Sequence, residues 1–469
     1  MLNTMLLSRF RTLEEYGTYS QIMMICTVTI TFFSAGFSQC INYFWGKCES
    51  EKEKQKFAKN YYTVITFIGI LAGVVTLLML PILQRYFKNS LMSGYWYVLL
   101  IYPISHILNS GVDRFFIAYR KAKGLLAFRV CHSLIILSET ILAVSLNLSF
   151  FKYMIIYTVS EMIFSVFIYL WIKILTGVIP FGCDKTLVKS ILKFAVPMAV
   201  ASLISTINIE MDKFLVGGLV DTETMAIYSN AARELPVYIL STSISSVTMP
   251  FVVKKIAEKK NVDAVKLWRK SITLCFYLVS FCVCVMFVFA PQIISVLYSD
   301  KYLPGTSVFR IYSLVLLFRV TYYGMALNSL GKTKTILRAS IATMIINLIL
   351  DIGLYKVIEL INPEYVLLGP AIATFVSVAV MNMYQLLLTR KLLHIKFTDI
   401  YPIATIIKIL LLNIALAVAF YALQQLSFSL INFDRVILSV FVGMIWAVIY
   451  FISVRNPVMT LWKELNSGN

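Results

Sequence analysis

The chain has 469 residues, of which 59% are hydrophobic and only 14% charged, with a formal net charge of +19. A water-soluble fold cannot bury that much apolar surface, so the composition points to a bilayer as solvent. The excess bases sit between apolar runs, which reads as membrane topology and attraction to anionic lipid, with no nucleic-acid role.

In chain order, thirteen apolar runs are expected to span, over 19–44, 61–83, 94–112, 127–148, 152–175, 190–219, 226–252, 270–298, 306–330, 336–358, 364–389, 401–424 and 434–454. Each is of the order of 20 residues and none alternates, so these are helices and not barrel strands. Every second loop is basic. Lys47, Lys52, Lys54, Lys56 and Lys59 share the first, Arg114, Arg120, Lys121 and Lys123 another, and Lys254, Lys255, Lys259, Lys260, Lys266, Arg269 and Lys270 a third. Lys332, Lys334 and Arg338, then Arg390, Lys391 and Lys396, continue the series, and Arg455 and Lys463 place the C-terminus inside. With an odd number of spans Met1 would lie outside. The opening MLNTMLLSRF is too short to span, so the first helix reads as truncated from a fourteen-span protein.

A shift of 209 residues brings landmarks together. Leu13-Glu14-Glu15-Tyr16-Gly17-Thr18-Tyr19-Ser20 falls on Thr222-Glu223-Thr224-Met225-Ala226-Ile227-Tyr228-Ser229, Lys123 on Lys332 and Arg129 on Arg338. The period is too long for a solenoid and implies two six-helix lobes in parallel orientation, a transporter arrangement with the substrate path between them. The expected organisation is an N-terminal lobe over 1–175, a C-terminal lobe over 186–393, and two further helices with a cytoplasmic tail over 394–469.

The segment Arg9-Phe10-Arg11-Thr12-Leu13-Glu14-Glu15-Tyr16-Gly17-Thr18-Tyr19 resembles the loop after the first helix of oligosaccharide-lipid flippases. Those belong to the multidrug/oligosaccharidyl-lipid/polysaccharide exporter superfamily. Pro197, Asp212-Lys213-Phe214-Leu215-Val216-Gly217, Tyr228, Val308-Phe309-Arg310-Ile311-Tyr312, Gly331-Lys332-Thr333-Lys334 and Asn347 resemble its second lobe. Arg11-Thr12 stands where the family has Leu-Gly, and the first helix is short. The resemblance implies a multi-pass protein of the bacterial cytoplasmic membrane that flips undecaprenyl-pyrophosphate-linked oligosaccharide outward for capsule or O-antigen assembly. Glycosyltransferases and a polymerase would work beside it.

A pyrophosphate headgroup asks for fixed positive charge, so ionisable groups within spans are the candidates. Arg319 lies about ten residues, roughly 15 Å, into its span, where a guanidinium suits bidentate phosphate contact. The competing reading is a structural ion pair with a neighbouring acid. Arg233, Glu234 and Asn230 cluster early in another span, and Asn347 and Asp351 share a helix face four residues apart. Glu210, Asp212 and Lys213 read as solvated at the outer surface. Lys123, Arg129, Lys332 and Arg338 are placed by the repeat at the inner mouth. Glu139, Glu161 and Asp351 are the candidates for a coupling proton or sodium ion, because burial favours a protonated carboxyl.

The histidines His106, His132 and His394 read as packed or interfacial. Tyr61, Tyr62, Trp96, Tyr97, Trp171, Trp268, Trp446 and Trp462 read as an interfacial belt, and Pro197, Pro236, Pro250 and Pro370 as kink sites. No phosphate-cradling glycine loop or zinc-type cluster occurs, so neither a nucleotide cofactor nor a metal is expected. Two other functions compete. A small-cation or drug exporter would want acids to dominate its cavity, and a membrane polymerase or glycosyltransferase would want a sizeable extramembrane domain.

Overall fold

The computed structural model describes residues 2–177, 181–430 and 434–466, and among them every regular element is a helix. That follows from the solvent: in hydrocarbon each backbone amide must be satisfied within its own segment. Eleven helices among the described residues are long and apolar enough to cross a membrane, so the chain is an all-α polytopic membrane protein. They match eleven of the thirteen expected spans. Start signals are local. Thr12 and Glu15 form a reciprocal capping box below Leu13–Ser34, and Asp184 accepts from the amides of Thr186 and Leu187 below Lys185–Leu219.

The other two expected spans are interrupted, which corrects the sequence reading. The run 226–252 is divided into Thr222–Ala231 and Tyr238–Ala257. Pro236 lies in the gap, where it lacks an amide and pushes Leu235 out of helical conformation. The run 306–330 is divided into Thr306–Val315, the 3-10 turn Leu316–Phe318 and Met325–Ser329. Side chains from other helices hold this second gap open. Asn382 Nδ2 donates to the carbonyl of Phe318 at 2.8 Å, and Trp268 Nε1 donates to Thr321 Oγ1 at 2.9 Å. Pro370 also departs from expectation: it lies in the first turn of Leu368–Leu393, where no amide is needed, and breaks nothing.

Contacts divide the chain into Met1–Ile227 and Tyr228–Asn469. In the first unit, Trp96–Asn109 packs against both Glu51–Tyr86 and Phe150–Thr176, and Leu13–Ser34 packs against Lys185–Leu219. Two glycines permit close approach here. A Cβ on Gly36 would meet the carbonyl oxygen of Ala195 at 1.9 Å, and one on Gly17 that of Thr222 at 2.1 Å. In the second unit, Asn261–Val288 is central, with Tyr238–Ala257, Ile403–Leu430 and Arg435–Asn466 against it.

The aromatic belt is only partly interfacial. Trp96 and Trp462 are exposed, but Tyr61, Tyr62, Trp268 and Trp446 are buried. Tyr61 and Tyr62 lie against Phe115, and Trp446 stacks on Phe420 with centroids 5.2 Å apart. Their large apolar areas favour helix–helix seams once a neighbouring helix is available.

Candidate functional site

The two helix interruptions meet. Glu234 lies in the first gap and Arg319 in the second. Arg319 Nη2 donates to Glu234 Oε1 at 2.9 Å and Arg319 Nε to the same oxygen at 3.3 Å. The guanidinium side chain is 42% exposed and the carboxylate 24%, so the pair is reachable from outside the helix seams. Arg233 is half-buried and Asn230 is buried on the turn before it. Discontinuous helices place irregular backbone beside a substrate, and such backbone is tolerated only against protein or a wet cavity. The ion-pair reading of Arg319 is met in this geometry, with the guanidinium still partly exposed beside its acid.

Other sequence candidates separate from this site. Asn347 Nδ2 donates to Asp351 Oδ2 at 3.4 Å, as their spacing predicts, and both side chains are buried within the second unit. Lys123 and Lys332 are exposed at the starts of Ala122–Ser145 and Thr333–Ile361, and Arg129 and Arg338 are exposed about two turns on. Arg129 is already engaged: its Nη2 donates to both oxygens of Asp113, at 2.6 and 2.7 Å. Glu210 pairs with Lys213 at 3.0 Å, and Asp212 is buried, which corrects the reading of that trio as solvated.

A second polar centre, in the first unit, was not foreseen. His106 and His132 do not pack separately; they converge on Glu161. His132 Nε2 is 3.2 Å from Glu161 Oε1 and 3.3 Å from Oε2. His106 Nε2 is 3.4 Å from Oε2, at ion-pair range without hydrogen-bond alignment. Glu139 lies within electrostatic reach of Glu161 and His132. The three cluster residues come from three helices, so spacing along the chain gave no signal. Among the described residues no group of His, Cys, Asp or Glu is placed to hold a metal ion.

A family model described as "polysaccharide biosynthesis protein" matches residues 6–307, which include the first interruption and stop short of Arg319. The capsular polysaccharide biosynthesis protein CapF of Staphylococcus aureus is 25% identical over 202 residues, 42% of this chain and 49% of that protein. The match therefore spans about half the length of that relative. Among solved structures, the chain resembles the lipid II flippase MurJ in an inward closed conformation, with TM-score 0.67 and 16% identity over 97% of this chain and 96% of the other. It also resembles a multidrug resistance MATE family transporter of the MOP superfamily in an inward-facing conformation, with TM-score 0.65 and 17% identity over 83% of this chain and 94% of the other. At these identities the two structures speak for the fold alone.

Proposed function

Because the chain belongs to the polysaccharide biosynthesis protein family, we propose that it moves undecaprenyl-pyrophosphate-linked oligosaccharide from the cytoplasmic to the outer leaflet by alternating access. The membrane is the bacterial cytoplasmic membrane, and the product feeds a capsule or O-antigen type polysaccharide built by glycosyltransferases and a polymerase. The protein is a transporter and not an enzyme. The observation that carries the reading is the Arg319 guanidinium where two interrupted helices meet.

The chemistry is exchange of anions on one cation. In the resting arrangement Glu234 neutralises Arg319. A pyrophosphate presents two adjacent oxygens to the guanidinium fork and displaces the carboxylate. Arg233 adds a second positive charge on the first gap, one turn after the buried Asn230. Lys123 and Arg129 in the first unit, and Lys332 and Arg338 in the second, each attract the anionic headgroup from the cytoplasmic side; Arg129 must first leave Asp113. Glu234 returns to Arg319 as the headgroup departs, so the site releases what it binds. An exporter of small cations is disfavoured, because the two gaps carry Arg233 and Arg319 against the single acid Glu234.

Arg319→Ala should abolish surface polysaccharide in a complementation assay while the protein level holds. Hydrogen bonds to charged groups are worth about 1.5–3 kcal/mol, so the loss should be at least tenfold. Arg319→Lys should rescue only in part, because an ammonium lacks the planar fork. Normal export by Arg319→Ala would make the arginine structural and end this assignment.

A further inference from the structure

We propose that His106, Glu161 and His132 form a proton-binding site and that its loading drives the transport proposed above, on which this second clause rests. The chemistry of the site starts with Glu161, whose side chain is 1% exposed. An isolated buried carboxylate is costly, so it must hold a proton or face a cation. Two imidazole nitrogens at 3.2 and 3.4 Å are the groups placed to share that proton. Hard metal cations prefer oxygen ligands, whereas two of the groups facing this carboxylate are nitrogens. With no group among the described residues placed to hold a metal ion either, the ion assigned to the centre is a proton.

The surroundings leave the proton few other places. From Trp96–Asn109 the facing groups are His106 and Tyr102, whose rings lie 4.1 Å apart. From Ala122–Ser145 they are His132 and Glu139. On the helix of Glu161 itself, the hydroxyl of Tyr157 donates to Tyr102 at 3.4 Å, and Tyr153 stacks on Tyr157. Tyr19 and Cys26 approach these tyrosines from Leu13–Ser34. The cations on neighbouring segments have other contacts: Arg129 is held by Asp113, and Arg11 donates to the Leu148 carbonyl and lies over the Tyr153 ring. His106 and His132 are each partly exposed and give protons access to a carboxylate that is itself closed off.

The site is also placed to move a helix. Ala122–Ser145 is the least buried of the long spans, with 11% of its apolar window inside the protein. The His132–Glu161 link joins this helix to Phe150–Thr176, beside the Phe128–Phe164 ring contact and the Thr140–Tyr153 hydroxyl pair. A change in proton occupancy alters that link between imidazolium–carboxylate and neutral forms, and the docking of the helix changes with it.

The test uses the full-length chain in liposomes with a fluorescent undecaprenyl-pyrophosphate oligosaccharide, with and without a one-unit pH gradient, together with 15N-histidine NMR. One coupled proton should shift the steady distribution about tenfold per pH unit. Glu161→Gln and His132→Gln should lose the shift, and Glu161→Asp should restore part of it. In the NMR titration His106 and His132 should be coupled in the wild type and independent in Glu161→Gln, with each variant eluting as the wild type does. A gradient response that persists in Glu161→Gln, a sodium gradient that replaces the proton gradient, or identical histidine titrations in wild type and Glu161→Gln would each overturn the proposal. If the wild type flips no lipid under any gradient, the transport reading falls, and the histidine titration still decides the site.

Discussion

Arg319 and Glu234 show how a modest interaction suits a carrier. The pair is partly exposed, so solvent screening limits it to about 1 kcal/mol or less. A bidentate phosphate contact is worth about 1.5–3 kcal/mol, so on the proposed function an anionic headgroup would win the guanidinium without being trapped on it. Glu234→Gln keeps the shape and removes the competing charge. Pyrophosphate should then bind up to about fivefold tighter by calorimetry, and export should slow because release slows. Unchanged affinity would show that Glu234 does not compete for the site. Arg319 was legible as a candidate in the sequence because an arginine inside an apolar run stands out locally. Its partner was named too, yet the pairing was not: Glu234 lies 85 positions away. The His106–Glu161–His132 centre was illegible for the same reason, since a histidine carries no mark of which helix it will face.

At the scale of elements, most spans were readable and the two wide gaps were not. Hydropathy averages over a window, and the windows around Arg233 and Arg319 are apolar enough to hide a gap. Pro236 was a local hint at the first gap. The second is maintained by Asn382 and Trp268, which belong to other helices and leave no trace in the segment they act on. The 209-residue shift also shows in the helix starts. Thr12 caps Leu13–Ser34, and Asp221, 209 positions later, accepts from the Thr224 amide at the start of Thr222–Ala231. Helix seams are testable at Gly36. Its added Cβ would meet backbone, the Ala195 carbonyl at 1.9 Å, which no side-chain rotation relieves. Gly36→Ala should cost about 1–3 kcal/mol and lower the melting temperature of the detergent-solubilised protein. Gly94→Ala, with nothing within 4 Å of its added Cβ, should leave it unchanged. Equal melting of the two variants would refute the close-approach argument.

At the scale of the whole chain, the charge pattern makes a demand on the two interrupted elements. Lys254, Lys255, Lys259 and Lys260 follow the first, and Lys332 and Lys334 follow the second. If basic loops are cytoplasmic, the chain must cross the membrane at each interruption despite its gap. The alternative, a re-entrant segment at either place, would reverse the side of every later loop. Single cysteines in a cysteine-free background distinguish the two. Positions 56 and 260, both exposed in the structure, should react with a membrane-impermeant maleimide only after permeabilisation. Positions 93 and 364, also exposed, should react in intact cells. The pair 260 and 364 is the decisive one, because the second interruption lies between them in the chain. Labelling of 260 from outside would mean that the first interrupted helix turns back. Protection of 364, with 260 also protected, would mean that the second does, and Arg319 would then lie on a re-entrant loop and not on a crossing path.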